Sequence, residues 1–395
     1  MMYLGIDIGK RTHVASLISE QSKVLFRAFS FSNTTEGAEQ LLELLDKFAP
    51  NPADVEIGME ATGHYWLSLY SFLIEREFRV YVVNPIQTDG WRKGTEIRKR
   101  KTDIIDSVLI ADLIRYGGFI EAALADENTI TLRNLARFRS YLVDSISDLK
   151  RKTITVLDQV FPEYETVFSD IFGKTSKELL LHFSSVAEFE HITTTQLNDA
   201  LSSIIHKKFA RQKVDKLSAL AKHSFGVTYA QDSFSFQLKI LIEQINFIEN
   251  QVSQIEVEID QVLELMDSPI TTVPGIGPVN AAIILGEIGD INRFSSPSKL
   301  VAYAGLDASV SQSGDFSSTN NRMSKRGSPY LRRAIFTAAQ VASFNDPVFS
   351  AYYQKKRAQG KHHLVAVGAV ARKMCNTIHF ILKNNTTYIP QVPKE

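Results

Sequence analysis

Apolar and polar positions along the first 117 residues switch between period two and period near 3.6. YLGIDIG, HVASLIS and KVLFRAFSF read as three β-strands separated by short polar turns. TTEGAEQLLELLDKFA predicts a helix behind a threonine cap. DVEIGMEAT predicts a strand, HYWLSLYSFLIER a helix, RVYVVN a buried strand, and TDIIDSVLIADLIRYG a helix closed by glycines. Over 132–160, Leu135, Phe138, Leu142, Leu149, Val156 and Val160 fall near one helical stripe. A clearer seam follows, in which Leu241, Ile245, Ile248, Val252, Ile255, Ile259, Val262 and Met266 alternate steps of four and three. That 3.5-residue repeat predicts coiled-coil packing, either between subunits or against the first long helix of the same chain. From 269 onward the pattern predicts helices only, interrupted by a Ser/Gly/Asn/Lys-rich loop at 306–328.

Three strands in a meander followed by αβαβα is the element order of a ribonuclease-H-like (RuvC-like) fold. The expected architecture is therefore α/β plus α. A ribonuclease-H-like domain occupies 1–120, and a coiled-coil region 128–268 carries a helical insertion at about 162–235. A mostly α-helical C-terminal domain spans 269–385.

With 395 residues and 44% hydrophobic content, the chain is long enough for two or three cores. Its single cysteine, Cys375, cannot form an internal disulfide. Charged residues break the N-terminal segment, and no run approaches the roughly 20 apolar residues of a membrane helix. A cytoplasmic protein is expected. Net charge is zero, but its distribution is uneven: residues 320–395 hold thirteen Lys/Arg against two Asp/Glu. Residues 91–101 hold six basic and one acidic. Such blocks suit local binding of a phosphate backbone.

Four carboxylates stand out. Asp7 lies in the first strand between Ile6 and Ile8, where an acid is costly unless paired or bound to a cation. Glu60 ends the fourth strand, before Ala61-Thr62-Gly63. Asp103 and Asp106 follow the basic run Arg98, Lys99, Arg100, Lys101 and share the start of one helix. In the predicted sheet the first and fourth strands are neighbours and the last helix crosses their ends, which would gather all four. Oxygen-only donors suit Mg²⁺ or Mn²⁺, and a pair of such ions about 4 Å apart can assist phosphodiester cleavage. Taken singly, Asp103 and Asp106 could be ordinary helix N-terminal acids and Glu60 one half of a salt bridge; all four in this order of elements point to a shared site. GIDIGKRTHVASLI also resembles the opening hairpin of actin-like ATPases and sugar kinases, but residues 269–395 lack the second acid-and-glycine hairpin that fold requires.

The loop GLDASVSQSGDFSSTNNRMSKRGSPYLRRA narrows the reading. Together with GIDIGK, EATG (60–63), VVNP (82–85), KTDxxD (101–106), PGIG (274–277), RFSSPSKLVAYAGL (293–306), SG (313–314) and RMSKRG–LRRA (322–334), it resembles the DEDD transposases of insertion sequences. That group includes Piv-type DNA invertases and bridge-RNA-guided recombinases. The chain departs from it at Asp307-Ala308, where the family commonly has a proline.

The resemblance implies that Asp7, Glu60, Asp103 and Asp106 hold Mg²⁺ (or Mn²⁺), and that Ser313 attacks the scissile phosphate to form a phosphoserine link to DNA. It further implies a homo-oligomer in which one subunit's metal site meets another's serine domain, and a non-coding guide RNA that selects target and donor DNA. On that reading Arg98–Lys101, Arg322, Lys325, Arg326, Arg332 and Arg333 are candidates to hold phosphates, and Gly275 and Gly277 form a possible helix-hairpin-helix turn. Two other functions fit the same acids: a junction nuclease that hydrolyses without a serine intermediate, and a catalytically idle RNA/DNA-binding scaffold.

Overall fold

Strand alternation sorts the N-terminal side chains onto two faces of one sheet. In β1 (Met2–Asp7), Leu4 and Ile6 join a buried cluster on one face, while Tyr3 packs with a separate cluster on the other. Period two then places Gly5 and Asp7 with Tyr3. The computed structural model describes residues 1–60, 63–83, 85–95, 102–117, 119, 126–200, 207–308, 312–313, 316–317 and 322–390. The chain divides into two compact units: residues 1–126 with 289–295, and residues 127–288 with 296–395.

In the first unit β1, β2 (Thr12–Ser19) and β3 (Val24–Ser32) form an antiparallel meander, and β4 (Val55–Glu60) and β5 (Arg79–Val83) extend it in parallel. The order is β3-β2-β1-β4-β5. Helices α1 (Thr35–Asp46) and α2 (Trp66–Ile74) cover one face through Leu41, Leu45, Leu69 and Leu73. Thr34 caps α1, its hydroxyl accepting from the Gly37 amide, as the sequence predicts. After β5 comes α3 (Pro85–Thr95), a helix that the sequence pattern does not announce. Helix α4 (Asp103–Tyr116) covers the opposite face, capped by Thr102 and ended by Gly117 at φ 73°.

Contact between α4 and the sheet depends on two side-chain-free positions. A Cβ on Gly5 would lie 2.0 Å from the Ser107 carbonyl oxygen and 2.4 Å from the Ala111 nitrogen, both helix backbone. A Cβ on Gly58 of β4 would lie 1.5 Å from Ile114 Cδ1. Ser16 Oγ of β2 and Ser107 Oγ, both buried, bond at 2.8 Å and fix the helix's height above the sheet. Ile110, Leu113 and Ile114 cluster with Val83, Tyr3 and Tyr81. Since Ser107 faces Gly5 and Ile114 lies with Tyr3, α4 runs antiparallel to β1, its N-terminus toward the strand's C-terminal end.

The second unit is built on two long helices, α5 (Glu127–Val160) and α10 (Gln231–Met266). Between them lie α6 (Lys174–His182), α7 (Val186–Glu190), α8 (Thr194–Ala200) and α9 (Lys207–Ala221). The α10 seam is filled from within the chain: Ile245 and Val252 are buried and Leu241, Ile248 and Ile255 partly buried against Leu142, Ile146, Val156 and Val160 of α5. Phe138 departs from the expected stripe. It is exposed, stacked on Tyr141 at 6.3 Å, and Leu132 and Ala136 are buried in its place. The stripe rotates because α5 also packs on α11 (Pro278–Ile288), where Arg133 Cα would lie 2.8 Å from a Cβ on Gly286.

Helices α12 (Pro297–Tyr303), α13 (Pro329–Asn345), α14 (Pro347–Ala358) and α15 (His363–Asn384) complete this unit. By length and composition α15 would suit a membrane span, contrary to the sequence expectation, yet Ala366, Val367, Val370, Ala371, Met374 and Ile378 are buried within the unit. Glu287 at the end of α11, 2% exposed, is held by Arg137 Nε (2.6 Å), Arg137 Nη2 (3.0 Å) and the Ser328 hydroxyl (2.8 Å). Ser328 also caps α13. One carboxylate thus ties α5, α11 and α13 together.

Gly5→Ala should lower stability by about 1–3 kcal/mol because it overpacks against backbone that cannot step aside. Gly58→Ala should cost less, since Ile114 Cδ1 can swing away; equal losses in urea unfolding would contradict this account. Removing Arg137 leaves Glu287 buried without its cation. Arg137→Ala should cost about 2–3 kcal/mol, below the usual figure for a broken buried pair because Arg137 keeps about half its surface in water, and calorimetry of the second-unit transition would measure it.

Candidate active site

Sheet register brings the first two acids together. Ile6 is in parallel register with Met59, so the next residues, Asp7 and Glu60, end adjacent strands, with backbones about 5 Å apart. In β4, Ile57 and Met59 belong to the α1/α2 face and Gly58 meets α4, so Glu60 shares the α4 face with Asp7. Helix α4 arrives at the same edge by its N-terminus. Asp103 is its first residue and exposed; Asp106, one turn on, is 5% exposed. The elements therefore converge as the sequence predicts, but the two helix acids are unequal.

Helix α3 supplies two partners that sequence reasoning missed. Thr88 Oγ1 lies 3.0 Å from Glu60 Oε2 and 2.9 Å from the Pro85 carbonyl, so its one hydrogen is shared between them. One turn later, Arg92 Nη2 donates to Asp106 Oδ1 at 2.9 Å. Trp91 Nε1 donates to Asp112 Oδ2 at 3.2 Å, which also ties α3 to α4. A proline at the first helical position was the available signal for α3. Gly90 and Gly94 obscured it.

Carboxylate oxygens on one sheet edge fit a hard divalent cation in donor chemistry. They are not drawn into one cradle: among the described residues no three His, Cys, Asp or Glu side chains form a group able to hold an ion. Asp106, the most buried of the four, has a guanidinium beside it instead. Arg98, Lys99, Arg100 and Lys101 lie outside the described residues.

In the second unit Ser313 belongs to a two-residue strand, β6 (Gln312–Ser313), paired antiparallel with β7 (Phe316–Ser317), in which Ser313 is opposite Phe316. The base of this hairpin is clamped. Arg332 Nη1 donates to the Ala304 carbonyl (3.3 Å), Arg372 Nη1 to the Leu306 carbonyl (3.2 Å), and the Ser324 and Lys325 amides return to Asp307 and Gly305. Arg332 thus braces the loop, and Arg372, which the sequence reading passed over, braces it too. Arg333 pairs with Asp144 at 2.9 Å on an exposed surface, and Arg322, Lys325 and Arg326 are exposed. Gly275 (φ 84°) uses its missing Cβ against the Ala338 carbonyl of α13, whereas nothing crowds Gly277. Cys375 is no rival nucleophile, since burial pushes its thiol up to about 12.

Family comparison matches two segments of the chain. A DEDD-type IS110 transposase model, described as a transposase, matches residues 4–162, and a second, described as transposase IS116/IS110/IS902 family, matches residues 267–354. An uncharacterized 43.6 kDa protein of insertion element IS110 from Streptomyces coelicolor is 26% identical over 99% of this chain and 96% of its own length. A pilin gene-inverting protein of Moraxella lacunata is 24% identical over 98% and 97%. An uncharacterized 42 kDa protein of insertion element IS900 from Mycobacterium paratuberculosis is 24% identical over 98% and 97%. The two matched segments carry the acid-bearing sheet and the serine-bearing hairpin, and the chain belongs to the IS110-type DEDD transposases, enzymes that recombine DNA.

Proposed function

We propose that this transposase cuts and rejoins DNA through a covalent protein–DNA intermediate, using a divalent-metal site on a ribonuclease-H-like sheet and a serine on the helical C-terminal part. The observation that carries the reading is the shared face of Asp7 and Glu60 on adjacent parallel strand ends, with the α4 N-terminus above them. Asp7, Glu60, Asp103 and Asp106 would hold Mg²⁺ or Mn²⁺. Bound there, such an ion supplies Lewis-acid stabilisation of charge on a phosphodiester.

Ser313 is the nucleophile in this reading. Its oxygen forms a bond to phosphorus as the bond from phosphorus to one deoxyribose oxygen breaks. The serine proton passes to a base, and the departing oxygen takes up a proton to become a hydroxyl. One phosphodiester replaces another, so rejoining needs no nucleotide cofactor. A serine hydroxyl is a weak nucleophile at neutral pH and needs activation, which is why the serine must meet the acid-bearing sheet. Working parts at 1–120, 128–268 and 269–385 are proposed, with the meeting made between subunits of a homo-oligomer. Arg322, Lys325 and Arg326 offer exposed charge to phosphates. A non-coding guide RNA would choose target and donor DNA by base pairing, leaving the protein to hold backbone.

Ser313→Ala should abolish strand exchange and any denaturation-resistant protein–DNA adduct while leaving DNA binding near wild type. A junction nuclease would lose neither cleavage nor binding in that variant. Asp7→Ala should remove cleavage, as should chelation of divalent ions, with a loss of at least about a hundredfold if the ion stabilises several kcal/mol of developing charge; cleavage that survives both treatments would overturn the metal site.

A further inference from the structure

Between Asp346 and Glu395 the chain has no carboxylate side chain, yet it carries eight Lys or Arg residues. Five of them stand where α15 packs on α14: Lys355, Lys356 and Arg357 in the last turn of α14, Lys361 in the connecting turn, and Lys373 on α15. Lys355, Arg357 and Lys361 are exposed, and Lys356 and Lys373 are half-buried. Their hydrogen bonds go to neutral acceptors, Lys356 Nζ to Gln359 Oε1 at 3.3 Å and Arg357 Nη1 to the Lys361 carbonyl at 2.7 Å. The elements that pack chiefly on α14 and α15, namely α12, α13 and the short turn Pro269–Thr272, bring no carboxylate either. Asp346 is buried at the start of α14, taken up by the Val348 and Phe349 amides and the Tyr388 hydroxyl. Cations in the last turn of a helix favour its negative end, which accounts for three of the five. It does not account for Lys361, which precedes the positive end of α15, or for Lys373 within that helix. Lys356 and Lys373 stand over the same ring, Tyr352, at 5.3 and 5.1 Å from its centroid. The ring holds both ammoniums in place, and their mutual repulsion is left for an outside anion to relieve.

We propose that this surface grips the phosphate backbone of duplex DNA without reading its sequence. Duplex DNA is the occupant because the family recombines it and because α15 ties the surface to the serine hairpin. Arg372 of that helix donates to the Leu306 carbonyl on one flank of the hairpin, and Met323 Cε on the other flank would lie 3.8 Å from a Cβ on Gly368. From the start of α15 at His363 to Arg372 the helix rises about 14 Å, the length of about four base pairs. A duplex held at the turn and following α15 reaches the flank of the hairpin. The inference takes DNA as the substrate and needs neither the metal site nor the serine nucleophile.

The test is fluorescence anisotropy of the full chain with a labelled duplex of arbitrary sequence, between about 50 and 200 mM salt. Lys355→Gln, Arg357→Gln and Lys361→Gln combined should weaken binding at least about tenfold at the low-salt end. The plot of log affinity against log salt should become shallower by about 2–3. The melting temperature should stay near wild type, because the three side chains face solvent. Unchanged affinity and slope overturn the proposal, and identify a solvated face or a surface for an acidic protein. Should the combined variant melt well below wild type, Lys355→Gln alone decides: a slope shallower by about 1 supports the proposal and an unchanged slope overturns it. A single-stranded RNA probe forms the second arm. Loss on the duplex, with or without loss on RNA, supports the proposal, and loss confined to RNA overturns it. Lys355→Arg with Lys361→Arg should bind as wild type does, and weak binding there means that shape and not charge is at work, which also overturns it. Ser313→Ala should leave every one of these readings at wild type, so failure of the serine mechanism is told apart from failure of this surface.

Discussion

Everything at the acid-bearing edge depends on how closely α4 lies on the sheet. The helix backbone touches β1 where Gly5 has no side chain, and Ile114 fills the space that a side chain at Gly58 of β4 would need. Cβ atoms in the middle strands would hold α4 further off and withdraw its N-terminus from the strand ends. The Ser16–Ser107 hydrogen bond then sets the height, and the Tyr3–Ile110–Ile114 cluster sets the direction. Once the helix is seated in that direction, its first turn, with Asp103 and Asp106, lies toward the edge at which Asp7 and Glu60 end their strands. The burial of Asp106 follows from the packing of the turn that carries it.

The second unit solves a different problem. Among the described residues its serine hairpin pairs two residues on each side. The flanks of this hairpin are held by Arg332 and Arg372 on the carbonyls of Ala304 and Leu306, and by Gly327, at φ 119°, packed where a Cβ would strike the Tyr303 carbonyl. Behind these, Glu287 joins Arg137 of α5 to the Ser328 cap of α13. Part of the positive charge that the composition assigns to nucleic acid is used here for internal architecture.

A buried carboxylate needs a positive partner in each state the protein visits. Asp106 has Arg92, and Glu287 has Arg137 in the other unit. The two pairs differ in completeness. Glu287 takes two bonds from one guanidinium and a third from a hydroxyl, a set suited to permanence. Arg92 leaves Nε without an acceptor.

Much of this was legible in the chain itself. Alternation in YLGID and VEIGME places Asp7 and Glu60 on the face opposite Leu4, Ile6, Ile57 and Met59. Thr34, Thr102 and Gly117 mark helix ends, and the Leu241–Met266 repeat marks the long seam. These are local signals, carried by spacing and backbone preference. The motifs that imply a transposase are likewise written in order along the sequence. What tertiary structure alone decided is which equivalent-looking residues differ: Asp106 buried and Asp103 exposed, Arg332 bracing a loop while Arg326 stays in water, Phe138 turned outward. It also revealed α3, whose Thr88 and Arg92 reach two acids that lie 28 and 14 residues away in the chain. Those distinctions arise from contacts between distant segments, and the choice among them is made by packing, which no periodicity within a single segment encodes.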